Sequence, residues 1–367
     1  MASGRSATRE GSDSNTESLS NSLEEASFVT LLSLPHPRHL VAATILARAA
    51  TGPFHIRILD RSTGAPTKPE GLLIGTDPAI AEADLALSPM RPVEQATAVF
   101  ERLGGSPIDD SLMKAINTGD GSDSPGIVCT HDNLARSIGT SLRWYGPLTG
   151  ADIATIDTRL EEAGLPQSVG EVSGDTTLAR RLASWVSMLA LEATGRPMSA
   201  SEALDRLFTP TYLEDAPIPT AEGLYDLLWL TCATDPGLAL AACLDTAFVD
   251  TALTRFDAEA TEVHAAVGRL PVDRDEPIAV ASTDAVALEP IAWLWTAYRL
   301  QQPYGVIIDE GNPSRVAVAS TGPRSASALV EALVTSLDGI GWGDPSIAGG
   351  FIDGDSQTIA RTLNKQL

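Results

Sequence analysis

The sequence predicts an α/β protein: an N-terminal doubly wound, mostly parallel sheet, a helical connector and a smaller C-terminal mixed α/β domain. Three observations lead there. Short apolar runs alternate with helical periodicities across residues 27–104, the pattern of strand–helix–strand units. From about residue 107 the periodicity is almost wholly helical, and strand-like runs return near residue 277. At 367 residues the chain is long enough for two domains and a connector.

Taken in order, residues 1–26 are mostly Ser, Glu, Asp, Asn and Gly, and are expected to form a disordered acidic tail. "SFVTLLSL" (27–34) reads as the first strand and "RHLVAATILARAA" (38–50) as a helix with Leu40, Ala43, Leu46 and Ala47 on one stripe. "FHIRILD" (54–60), "GLLIG" (71–75) and "DLAL" (84–87) read as strands, and "PVEQATAVFERLG" (92–104) as a helix with Pro at its start and Gly at its end. Helices are expected over 107–117, 131–141, 151–163, 175–193, 199–207, 220–233 and 247–268, with a loop at 118–126. "LPVDRDEP" (270–277) reads as a linker. Beyond it come strands at 277–283, 304–311 and 314–321, and helices at 288–301 and 325–341. The expected domains are 27–145, 146–269 and 270–367, after the tail at 1–26.

The net charge is −23, from 48 Asp and Glu against 25 Lys and Arg, and the only lysines are Lys68, Lys114 and Lys365. An acidic, lysine-poor, alanine-rich chain has the composition of proteins from extreme halophiles, where surface charge keeps the chain soluble. An acidic surface made for one basic partner is the alternative. Acidity ordinarily argues against nucleic-acid binding. In molar salt, screening within about 3 Å weakens that exclusion. Cys129, Cys232 and Cys243 have no metal-ligand spacing and read as small buried hydrophobes in a reducing compartment. No run approaches a membrane span, the N-terminus has no apolar signal core, and a cytoplasmic location is expected.

Several constellations could carry chemistry. "LPHPRH" (34–39) sits at a strand–helix turn, where open α/β folds place ligands, and offers His36, Arg38 and His39 without a carboxylate. Only His55, His131 and His264 remain as further imidazoles for a metal site, so capping residues, a metal pair or an anion-binding Arg38 are all open. Thr321, Gly322, Arg324 and Ser325 precede a helix and could bind an anion or merely cap it. Gly349 and Gly350 could let backbone approach a ligand or simply make a turn. Arg143, Trp144 and Tyr145 could stack bases or pack in a core. Ser-His-Asp, Walker, dinucleotide and zinc-finger spacings are absent.

The order of these pieces, with "AATILARA", "GIVCTHDNLARSIGTSLRWYGPLTG" and a strand–Arg-Ser–helix segment followed by Gly-Gly, resembles the DHH phosphoesterase superfamily over residues 28–364. The resemblance is to its RecJ-like branch of halophilic archaea, related to the cell-division-cycle 45 family. It implies a DHH-like first domain and a DHH-associated second one. Active members hold two divalent metals that activate water for attack on a phosphodiester. Here their His-x-Asp-x-Asp ligands fall on Leu34, His36 and Arg38, a further Asp near Gly75 or Thr76, and the Asp-His-His signature near Ser88, Pro89 and Met90. In the second domain, Arg324 and Ser325 match a phosphate-gripping Arg-Ser, and Gly349, Gly350 and Phe351 match Gly-Gly-His with Phe for His. The resemblance implies a catalytically inactive scaffold or single-stranded-DNA-binding subunit in replication or repair. Arg324, Ser325, Gly349, Gly350, Arg143 and Trp144 are its candidate phosphate or nucleic-acid contacts, with GINS and MCM-type components as partners and no cofactor. One alternative is a divergent exonuclease or phosphodiesterase using Mn2+ or Mg2+ at displaced ligands among His36, Asp77, Asp84 and His131. The other is a regulatory partner of an active RecJ-like paralogue.

Overall fold

The structure is a computed structural model. It describes residues 7–59, 71–77, 80, 83–87, 92–105, 110–117, 126–193, 204, 207–208, 210–214, 216–272 and 277–367.

The first sheet comprises β1 (Val29–Ser33), β2 (Phe54–Ile58), β3 (Leu72–Gly75) and β4 (Leu85–Ala86), all parallel in the order β2-β1-β3-β4. β1 is central and every residue in it is buried, which is why its sequence is a continuous apolar run rather than an alternating one. Strand alternation still sorts its side chains: Val29 and Leu31 face a helical core, while Leu32 faces a separate apolar cluster on the other side. The chain turns from β1 into α2 (Pro37–Ala49), with Pro37 in its first turn where the missing N–H costs nothing. α2 packs on α3 (Pro92–Arg102), and its buried residues include the small Ala42, Ala43 and Ala47.

The N-terminal segment differs from expectation. Ala7–Glu25 forms a helix, α1, against α3, not a disordered tail. Leu19 and Leu23, one turn apart, are fully buried in the main core, Asn15 donates to the Ala86 carbonyl at 3.2 Å, and Glu17 pairs with Arg102 at 2.8 Å. Two correctly spaced leucines are enough to dock a polar helix, and a composition average conceals them.

The middle of the chain is helical: α4 (Asp110–Ile116), α5 (Leu134–Thr140), α6 (Ile153–Glu162), α7 (Val169–Ser173), α8 (Thr176–Ala193), α9 (Ala221–Thr234), α10 (Pro236–Leu244) and α11 (Val249–Arg269). The short α7 and α10 are additional to the expected helices, and the expected helix at 199–207 and loop at 118–126 lie mostly outside the described residues. α9 anchors this region. Thr220 caps it, accepting from Gly223 N–H at 3.1 Å and donating to the Cys129 carbonyl at 2.8 Å. A Cβ on Gly223 would lie 2.0 Å from the Cys129 oxygen, so only glycine lets the two segments meet. The three cysteines are buried and unpaired, and burial pushes the Cys129 thiol up to about 12.

The second sheet has the order β5-β6-β7-β9-β8, with β5 (Ile278–Ser282) and β6 (Tyr304–Asp309) parallel and β7 (Ser314–Ser320), β8 (Gly339–Gly343) and β9 (Ile347–Ile352) joined antiparallel. α12 (Leu288–Tyr298) covers one face and belongs to the same core as the helical middle; α13 (Ala326–Leu337) and α14 (Ser356–Asn364) cover the other. The helix expected over 325–341 stops at Leu337: Asp338 (φ 59°) and Gly339 (φ 146°) turn the chain into β8. The Gly-rich stretch 347–360 is β9 plus α14, capped by Asp355, which accepts from Thr358 N–H at 2.7 Å.

Leu23→Ala should lower stability by about 2–4 kcal/mol, a cost that applies to a docked helix and not to a disordered tail. The shift in the urea-unfolding midpoint measures it.

Candidate functional site

The turn between β1 and α2 is pinned to the neighbouring strand β3. Thr76 N–H donates to the Leu32 carbonyl at 2.8 Å, the Thr76 hydroxyl accepts from Leu34 N–H at 3.4 Å, and His36 N–H donates back to the Leu34 carbonyl at 2.8 Å. The His39 Nδ1–H donates to the Thr76 carbonyl at 3.0 Å, which fixes its tautomer. The His36 and His39 rings stand edge to face at 5.9 Å. Burial holds the His36 imidazole well below its ordinary pKa, helped by the charges of His39 and Arg38. Burial also lowers His39, against the opposing pull of Asp77 and the Thr76 hydrogen bond. Both rings are therefore neutral at neutral pH.

Leu34 decides the character of this turn. It is fully buried in one apolar cluster with Leu32, Leu73 and Ile80 of the first unit and Trp342 of β8. Ile340 and Phe351 of the second sheet pack against the same cluster, and Trp342 and Phe351 meet edge to face at 5.2 Å. The cleft between the two sheets is thus filled with hydrocarbon where the resemblance places metal ligands.

Two divalent ions do not fit these residues. Leu34 has no donor atom and lies in apolar packing, and Arg38 brings a cation to the same turn. Asp84 accepts from the Leu73 N–H at 3.1 Å. His131 is held by Asp257 at 2.7 Å, which also pairs with Arg136 at 2.8 Å. His55 is exposed on β2, and His264 is buried against Tyr145 in the helical region. Gly75 packs against Ala83 and Ile80, leaving little room for a side chain. Among the described residues no three His, Cys, Asp or Glu side chains are grouped to hold a metal. Ser88, Pro89 and Met90 lie outside the described residues.

Arg38 itself is exposed. Burial and then the Asp344 charge push the Tyr225 phenol up, while Arg38 and Arg143 pull it down. Tyr225 on α9 therefore feels charges from both units, Arg38 after β1 and Asp344 of the β8–β9 turn.

The candidate anion and nucleic-acid residues are engaged internally. Thr321 N–H donates to the Pro303 carbonyl at 2.9 Å, Gly322 N–H to the Ser320 hydroxyl at 3.2 Å, and Arg324 N–H to the Tyr304 hydroxyl at 3.2 Å. No free cradle of N–H groups is left at these three positions. The Arg324 guanidinium holds the Gln366 carbonyl and its side-chain oxygen, and Ser325 is the N-cap of α13, accepting from Ala328 N–H at 3.2 Å.

Gly349 and Gly350 sit inside β9, not in a ligand-facing turn. A Cβ on Gly349 would lie 2.5 Å from a Glu289 carboxylate oxygen and 3.0 Å from Trp342 Nε1; one on Gly350 would lie 2.8 Å from the Ile340 carbonyl. Glu289 is buried and pairs with Arg315 at 3.0 Å. The glycines admit this pair and the Trp342 ring.

Arg143 and Trp144 are likewise unavailable for base stacking. Trp144 is fully buried. Arg143 makes a bidentate contact with buried Asp226, 2.7 Å on each arm, and its carbonyl accepts from the Tyr298 hydroxyl at 2.7 Å. Tyr145 lies between Arg299 and His264. Sequence reasoning does not reach the partners Asp226, Glu289, Arg315 and Trp342. The Arg143–Asp226 pair spans 83 residues and leaves no local signal, whereas a tryptophan between glycines in Gly341-Trp342-Gly343 could have marked a packed strand.

Fold and cleft together define an α/β protein of two sheets around a helical core, its inter-sheet cleft closed by apolar packing. A family model described as "Uncharacterized protein rrnAC1427, C-terminal domain" matches residues 270–365. The chain is 27% identical over 343 residues to "Uncharacterized protein rrnAC1427" of Haloarcula marismortui, covering 89% of this chain and 90% of that one. Among solved structures it is similar to RecJ from Thermus thermophilus in complex with Mn2+, with a TM-score of 0.48, 14% identity and coverage of 97% of this chain and 54% of that one. It is also similar to CDC45 from Entamoeba histolytica, with a TM-score of 0.46, 7% identity and coverage of 97% and 98%. The chain spans about half the length of that RecJ.

Gly349→Ala should destabilise the fold by about 1–3 kcal/mol, because Glu289 and Trp342 must both give way; calorimetry checks it. The buried histidines make stability fall in acid. His264 is lowered by burial to about 4, so the unfolded ring binds a proton more readily than the folded one. Its contribution is present above about pH 6.5 and is lost as pH falls towards 4, a loss of about 3 kcal/mol. Unfolding curves of His264→Gln between pH 7 and 4 should show a correspondingly shallower slope.

Proposed function

We propose that this protein is a RecJ-like chain without phosphoesterase chemistry, serving as a scaffold within a DNA replication or repair assembly. One observation carries the reading: Leu34, Trp342 and Phe351 fill with hydrocarbon the cleft in which the sequence resemblance places two metals and the scissile phosphate. Hydrolysis at that place needs carboxylate or imidazole ligands and room for a phosphodiester. A buried leucine in contact with other apolar groups supplies neither.

The scaffold role is favoured over single-strand binding because Arg143 and Arg324 spend their guanidinium groups on Asp226 and Gln366. The partners this reading names are GINS- and MCM-type components, or an active RecJ-like paralogue that the chain would regulate as a hetero-oligomer.

The test has two arms. The purified full-length chain, in molar KCl with millimolar Mn2+ or Mg2+, should release no nucleotide from end-labelled single-stranded DNA. Tagged protein recovered from its own cells should bring down a GINS, MCM or RecJ-type protein. Metal-dependent cleavage abolished by His36→Ala would restore the exonuclease alternative, and recovery of none of those partners would defeat the scaffold reading.

A further inference from the structure

The face of α8 that does not enter the core carries a second stripe. Ala179, Leu182, Val186 and Ala190 are buried, as an amphipathic helix requires. Next to them Arg181, Ser184, Trp185 and Met188 recur at i, i+3, i+4 and i+7, a face that would ordinarily be wholly polar. Met188 is 57% exposed, the most exposed large apolar side chain among the described residues. This stripe and Leu165, just past the end of α6, line an open groove of about 360 Å³.

The charge here is unusual for the chain. Arg180 and Arg181 are the only adjacent pair drawn from Lys and Arg in a sequence with net charge −23. Arg181 is held in place: its guanidinium donates to the Ala163 and Gly164 carbonyls, both at 3.2 Å, at the C-terminal end of α6. Arg180 projects to solvent at the rim. Tryptophan, methionine and arginine are the residue types enriched where protein interfaces bury their centres. Arg181 thus fixes the groove wall, and Arg180 is the cation left for a partner at its rim.

We propose that the α6–α8 groove is a docking site for an acidic protein segment bearing one large apolar side chain. The apolar residue would enter between Leu165, Trp185 and Met188, and a carboxylate beside it would pair with Arg180. In concentrated salt only contact ion pairs survive screening, so the apolar anchor supplies most of the affinity and the arginine selects an acidic neighbour. A nucleic-acid strand is disfavoured because two cations on a strongly acidic chain cannot track a phosphate backbone. The site is remote in kind from the closed cleft and does not depend on whether the chain hydrolyses anything.

Photo-crosslinking tests this directly. Benzoylphenylalanine replacing exposed Met188 in the full-length chain, irradiated in the cells that make it, should capture a peptide of another protein with at least two Asp or Glu beside a leucine or aromatic residue. Arg180→Glu should cut that yield by about fivefold or more, while Arg180→Lys retains most of it. Capture of this chain's own peptides, of nucleic acid, of non-acidic peptides or of nothing would overturn the proposal. So would a yield indifferent to Arg180→Glu, once circular dichroism has shown that variant to be folded.

Discussion

Leu34 stands where β1 ends and α2 begins, and it is buried against residues of both sheets. Much of the molecule is arranged around that contact. β1 is pinned to β3 through Thr76, which sets where the turn begins. Trp342 reaches the same cluster only because Gly349 leaves space beside it on β9, and Phe351 then closes against the Trp342 ring. Each fully buried apolar side chain of this size contributes about 1.5–3 kcal/mol relative to exposure. A cluster of this kind therefore joins the two sheets by the same apolar burial that builds the core of each.

Two buried ion pairs accompany the apolar contact. Arg143–Asp226 ties the segment after α5 to α9, and Arg315–Glu289 ties β7 to α12. Buried pairs add little net stability over an apolar substitute, but losing one partner strands the other's charge at a cost of about 3–5 kcal/mol. They act here as register pins. Burial raises the Asp226 carboxyl while Arg143 draws it down, so the carboxylate depends on its guanidinium to remain charged. Of the arginines that a sequence reading singles out for anions, Arg143 is engaged in this way and Arg324 by Gln366, while Arg38 is exposed.

The strand–helix alternation, the parallel first sheet and the mixed second sheet were legible because periodicity and punctuation are local. α1 was not, since docking rests on two leucines, Leu19 and Leu23, within a polar segment. β8 is hard to see because glycine fills every other position of Gly339–Gly343, leaving little apolar alternation, and the break from the helix lies in the backbone conformation of Asp338 and Gly339. For the cleft, the sequence shows that Leu34, His36 and Arg38 follow the first strand but not what fills the space beside them. Leu34 and Trp342 are more than 300 residues apart, as their numbers show, and only tertiary packing brings them into one cluster. What Arg324 and the glycines touch is hidden for a related reason: a guanidinium or a glycine carries the same letter whether it faces a ligand or the chain's own C-terminus.

The cluster around Leu34 also bears on how such a chain can change over generations. Replacing Leu34 alone by aspartate would bury an unpaired carboxylate among Leu32, Leu73, Ile80 and Trp342, a penalty of several kcal/mol. Replacing Phe351 alone by histidine would trade an aromatic contact with Trp342 for a ring with polar nitrogens at the cluster's edge. Either step costs packing that the rest of the cluster cannot restore by itself. The packing therefore makes this cleft intolerant of single polar substitutions, so sequence change in such a chain is channelled to its surface and away from the seam between the sheets.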